Sequence, residues 1–75
     1  MTKKDKRIIE NAEAKGIPIF VLVAKDRVSR QTLADYAANC RIAGCKEEHL
    51  SEIRERITEF SEWQRNNPNE LKLPD

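Results

Sequence analysis

Eight apolar residues in succession, Ile17 to Ala24, separate stretches in which apolar and polar positions recur with helical spacing. Before them, Lys3 to Lys15 contains no helix breaker, and Gly16 followed by Pro18 supplies a stop. This predicts a short helix over 3–15 with a thin apolar content of Ile8, Ile9, Ala12 and Ala14. Alone in water such a helix is marginal. Ile17–Ala24 is rich in β-branched residues and too short for a helix, so it reads as a strand, with Pro18 at its start or on an open edge. Ser29 is expected to cap a second helix over 30–43, with Val28 and Leu33 at the spacing of a hydrophobic staple. Its apolar face is Leu33, Tyr36, Ala37 and Cys40, and Gly44 suits the left-handed residue that ends it. A third helix over 46–66 carries a narrow stripe of Leu50, Ile53, Ile57 and Phe60, with Trp63 beside its end. Asn66-Asn67-Pro68 terminates it.

The order helix, strand, helix, helix predicts a mainly α fold with one β-strand per chain (α-β-α-α). It divides the chain into a short N-terminal helix or arm (1–15), a strand plus helical hairpin core (16–68) and an extended C-terminal tail (69–75). A strand that is apolar on both faces needs a partner, because each unpaired, desolvated backbone group costs about 1–3 kcal/mol. Glu70-Leu71-Lys72-Leu73 is a weak candidate, hampered by its charges and by Pro74. The same strand of a second copy, antiparallel about a two-fold axis, fits better and lets helices of both copies cover the two faces. The strand is therefore expected to pair across a homodimer or higher homo-oligomer. Ile17, Ile19, Phe20, Val21, Leu22 and Val23 form the contact, and Phe60 and Trp63 serve as a further subunit or partner contact.

Composition supports this expectation. A 75-residue chain with four aromatic side chains, Phe20, Tyr36, Phe60 and Trp63, has little material for a core of its own. Domains of this size reach about 3–5 kcal/mol of net stability and lean on staples or partners. Net charge is +1, too small for a global field that attracts nucleic acid or anionic membrane. Charge is uneven, however: +2 over residues 1–15, +2 over 16–45 and −3 over 46–75. No apolar run approaches the length of a membrane span, and the basic N-terminus lacks the apolar core of a signal peptide. The expected location is cytoplasmic, in a bacterial host, with Cys40 and Cys45 reduced.

Three constellations bear on chemistry. Lys25, Arg27, Ser29 and Arg30 surround the predicted start of the second helix, where free N–H groups and the helix dipole favour an anion such as a nucleotide phosphate. No glycine-rich phosphate loop accompanies them, and a solvated loop in which Asp26 neutralises a neighbour is the alternative. Cys40, Cys45 and His49 have donor atoms suited to zinc but fall one ligand short of a closed site; packing of the thiols is the reading adopted, with no metal or cofactor. The carboxylates of the third helix alternate with Arg54 and Arg56 and read as a solvated face with a Glu52–Arg56 pair. No catalytic residues are assigned, and an enzyme is not expected. Strand, helix, glycine turn and helix is also the order of ribbon-helix-helix DNA-binding regulators. Neither strand face carries a hydrogen-bonding side chain for a base edge, so DNA remains the alternative and nucleic acid is disfavoured as a partner. In that alternative, Lys3, Lys4, Lys6 and Arg7 supply a phosphate-contacting arm.

IFVLVAKD, then TLADYAANC, AGC and FSEWQRNNPNELKLPD together resemble short proteins of unknown function from tailed phages and prophages. The resemblance covers residues 17–75, and its motifs are structural. It implies a non-enzymatic accessory factor of a mobile element that acts by binding. Inhibition or sequestration of a host defence component is the expected role, either a cyclic-nucleotide-type signal or a host protein.

Overall fold

The computed structural model describes residues 1–73 and is built from three helices. Helix α1 spans Lys3–Ala14, α2 Ser29–Ala43 and α3 Glu47–Asn66, followed by a 3-10 turn at Pro68–Glu70. Each boundary has a local cause. At α1 the Thr2 hydroxyl accepts from the Asp5 N–H at 3.0 Å and the Asp5 carboxylate accepts from the Thr2 N–H at 3.2 Å. This reciprocal capping box satisfies two of the donors that a helix N-terminus leaves open. The Thr2 N–H, and after it the Thr2 hydroxyl, hold the Asp5 carboxyl below its ordinary value. Gly16 and Gly44 lie at φ 69° and 87°, the left-handed region in which a side chain is strained. After each, the chain closes the same pair of bonds: Ile17 N–H to Ala12 O and Gly16 N–H to Glu13 O, then Cys45 N–H to Cys40 O and Gly44 N–H to Arg41 O. These are Schellman motifs, which satisfy otherwise open carbonyls at the helix end.

The core lies between α2 and α3, the two helices in extensive contact. Cys40, Leu50 and Ile53 are buried, with Ala37, Cys45 and Ile57 packed against them. The stripe on α3 thus faces α2 as its spacing implies, becoming half-buried at Ile57 and Phe60. Helix α1 is held to α3 by the Lys4–Glu52 ion pair at 3.1 Å, both side chains being more than half exposed. Such a pair contributes about 0–1 kcal/mol. Glu52 therefore does not serve the expected Arg56 pair; Arg56 bonds Glu59 at 3.0 Å instead, and Arg54 bonds Glu47. Glu59 lies one turn from Arg56, whereas Glu52 is drawn off by the Lys4 ammonium across the helix gap.

Within one chain the expected strand does not form. Among the described residues no hydrogen bond involves the peptide groups of Ile19 to Leu22. The tail pairs one step further along: Arg27 N–H donates to Lys72 O at 2.8 Å and Lys72 N–H to Lys25 O at 3.1 Å, a single parallel bridge between Asp26 and Lys72. The apolar segment is left outside the fold, with Phe20 86% exposed and Ile17, Ile19, Val21 and Val23 between 42% and 61%.

The cost of this arrangement is visible in the dimensions. The radius of gyration is 13.6 Å, whereas a compact domain of this length has about 11 Å. The accessible surface is 6125 Å², whereas a compact chain of this mass exposes about 4,700 Å². The excess of about 1,400 Å² exceeds the roughly 800 Å² that each partner buries in a standard interface.

Candidate functional site: the apolar segment and its basic loop

The apolar segment ends in a tight turn organised by Asp26. Its N–H donates to Val23 O at 3.1 Å, and its carboxylate accepts from Val28 N–H at 2.9 Å. Its carbonyl accepts from the Ser29 N–H at 3.1 Å and the Ser29 hydroxyl at 2.7 Å. The Gln64 amide, near the end of α3, reaches the carbonyls of Ala24 at 3.0 Å and Asp26 at 3.4 Å. The turn is thereby fastened to the helical hairpin while the segment before it remains open.

This geometry divides the four residues expected to bind an anion. Ser29 is completely buried and its hydroxyl is spent on Asp26, so it faces the interior. It does not cap α2 either: Val28, 47% exposed, occupies the cap position without a side-chain bond, so Val28 and Leu33 no longer stand at the two positions of a hydrophobic staple. The physical reason is the Asx turn, in which Asp26 takes the local N–H donor and Ser29 becomes a donor to the turn. Arg30 is exposed, with its Nε donating to Ser61 Oγ at 2.7 Å. Lys25 and Arg27 are exposed and their side chains have no partner among the described residues. Two of the four thus present free cationic groups beside the segment.

Clefts border the segment. One of about 220 Å³ is lined by Phe20, Val21, Val23, Lys25, Asp26, Lys72 and Leu73, joining an aromatic ring to ammonium groups. Another, of about 350 Å³, lies between the segment and the helices, against Met1, Ile9, Leu33, Arg56 and Phe60. Leu22 and Phe60 are half-buried there, whereas Trp63 is half-buried with its carbonyl accepting from Asn67 Nδ2 at 2.8 Å. Trp63 therefore helps to close the end of α3.

Cys40 and Cys45 are free thiols on the two sides of Gly44, and His49 turns to a different neighbour. Its Nε2 lies 3.4 Å from the Tyr36 hydroxyl, with the rings edge-on at 6.1 Å. Among the described residues no group of three His, Cys, Asp or Glu side chains is placed to hold a metal ion. Hydrogen bonding to the Cys40 thiol, then burial, pushes both Tyr36 and the Cys45 thiol above their ordinary values. The signals for Thr2, Asp26 and Cys45 lay in the sequence as Thr-x-x-Asp, an Asp at the strand exit and the residue after Gly44. Gln64 had none, because its role depends on where α3 ends relative to the turn.

No protein-family model, no curated protein and no solved structure matches the chain. Among the described residues no helix is long and apolar enough to cross a membrane.

Proposed function

We propose that the chain is a non-enzymatic, homo-oligomeric binding protein whose copies pair through Ile17–Val23 and hold an anionic ligand of nucleotide type beside that pairing. The observation that carries this reading is the exposed apolar segment, whose peptide groups from Ile19 to Leu22 have no hydrogen bond among the described residues, running directly into cationic side chains at Lys25 and Arg27 that have no partner among them. Strand addition satisfies the open peptide groups of both copies and covers apolar side chains that water otherwise surrounds. Antiparallel pairing centred near Phe20 sets Val23 of one copy opposite Ile17 of the other, which brings the turn that carries Lys25 beside the end of α1 that carries Lys15. A ligand with phosphate charge between the copies relieves that repulsion, and an aromatic base stacks on the exposed Phe20 ring.

A protein of this kind acts by stoichiometric retention. In the setting that the phage-protein resemblance implies, the retained molecule is a host defence signal, and its capture is the inhibition. A host protein held on the same apolar surface is the second reading, favoured by the 86% exposure of Phe20.

Native mass spectrometry of the untagged protein, purified directly from cells, tests the proposal. The expected result is an oligomer carrying nucleotide mass in stoichiometric amount, with that mass lost in Lys25→Ala and Arg27→Ala while the subunit number is kept. An oligomer that never retains or binds a nucleotide excludes the ligand and leaves the protein-partner reading. A monomer at all concentrations excludes both the pairing and the shared site.

A further inference from the structure

The geometry of the α2–α3 turn points to a second site: we propose that Cys40 and Cys45 form a dithiol which a low-molecular-weight disulfide of the glutathione type oxidises to an internal disulfide. The two residues occupy the positions that a Schellman motif brings into side-chain contact, the third residue from the helix end and the second after it. The Cys45 N–H donates to the Cys40 carbonyl at 3.0 Å. Standard bond lengths on either side of that hydrogen bond limit the separation of the two Cα atoms to about 6.9 Å. That limit requires every atom to lie on one line, which the bond angles at N and O forbid, so the backbone holds the pair within the range of about 4.4–6.8 Å that disulfides span between Cα atoms. Cys45 also packs against the cluster that contains Cys40, which places the two thiols on the same side of the turn.

Exposure divides the roles. Cys45 is half-buried and accessible to a small reagent, whereas Cys40 is 6% exposed and reached only from within the fold. Cys45 reacts as the thiolate, which its hydrogen bond with Cys40 makes scarcer; that thiolate attacks one sulfur of the reagent and forms a mixed disulfide, the reagent's S–S bond breaks and its first half leaves as a thiol. Cys40, on losing its proton, attacks the Cys45 sulfur and expels the second half as a thiol. Two protein thiols are oxidised, one reagent disulfide is reduced, and the left-handed turn at Gly44 is closed by a covalent bond. The chain contains two cysteines, so no other intramolecular pairing competes.

Intact-mass measurement of the full chain, incubated with oxidised glutathione, tests the assignment. The parent protein is expected to lose two hydrogen masses and both titratable thiols, and to recover them with dithiothreitol. Cys40→Ser is expected to stop at one stable glutathione adduct, and Cys45→Ser to react far more slowly. A parent protein that accumulates the adduct without resolving it, links two copies through sulfur, or keeps both thiols overturns the proposal. These outcomes are read on the parent chain, so they stand even where a serine variant folds poorly.

Discussion

Replacing Val21 by aspartate separates the single chain from the assembly. Val21 is 61% exposed in one chain, and a surface substitution of that kind changes the stability of an isolated chain by about 0.5 kcal/mol or less. In a paired assembly the same side chain is covered. Full burial of a valine is worth about 1.5–3 kcal/mol, so covering the exposed part stabilises by about 1–2 kcal/mol per copy. A two-fold axis uses the residue twice, giving about 2–4 kcal/mol and a 30- to 700-fold weaker dimer dissociation constant. Bringing two carboxylates close to the axis adds repulsion and desolvation, so these figures are a floor. Sedimentation equilibrium over a wide concentration range gives the constant, with far-ultraviolet circular dichroism reporting helix content on the same samples. A Val21→Asp chain that associates as tightly as its parent refutes the placement of this segment at the contact.

Other positions test the rest of the fold. Gly44→Ala meets no atom within 4 Å, but at φ +87° the new side chain is strained; thermal melts should show a loss of about 1–2 kcal/mol. Ile53→Ala, at 6% exposure in the α2–α3 core, should cost about 2–5 kcal/mol. That is most of the stability of so small a domain, and denaturant titration should find the variant largely unfolded. The Asp5 carboxyl is depressed by its bonds with Thr2, so its contribution is present above the ordinary value of 3.8 and is lost as pH falls through the lower folded value. In Thr2→Ala, carboxyl titration followed by nuclear magnetic resonance should show Asp5 moving up toward 3.8, with fraying of α1.

Local signals in this chain were legible, and relations between distant segments were not. The helices expected over 3–15, 30–43 and 46–66 lie at Lys3–Ala14, Ser29–Ala43 and Glu47–Asn66. Their ends are written in Gly16, Gly44 and Pro68, whose backbone preferences act within a few residues. The face on α3 was legible because Leu50, Ile53 and Ile57 meet α2 through one short turn. Ser29 was misread because capping depends on which of two nearby polar residues wins the N–H, and Asp26 wins by way of its Asx turn. The pair at Glu52 was misread because Lys4, distant in sequence, competes for the same carboxylate. Of the four residues expected around an anion, Lys25 and Arg27 keep charges with no partner among the described residues, whereas Ser29 is drawn into the local turn at Asp26 and Arg30 into a contact with Ser61 that only tertiary packing creates. The apolar run at Ile17–Ala24 was plain in the sequence, but nothing local specifies what pairs with it.

Amide hydrogen exchange at Ile19 to Leu22, followed against protein concentration, tests that pairing most directly. These peptide groups have no hydrogen bond within one chain among the described residues. If copies pair through them, protection rises with concentration and disappears on dilution or in Val21→Asp. Exchange at the rate of an unprotected peptide at every concentration contradicts the account.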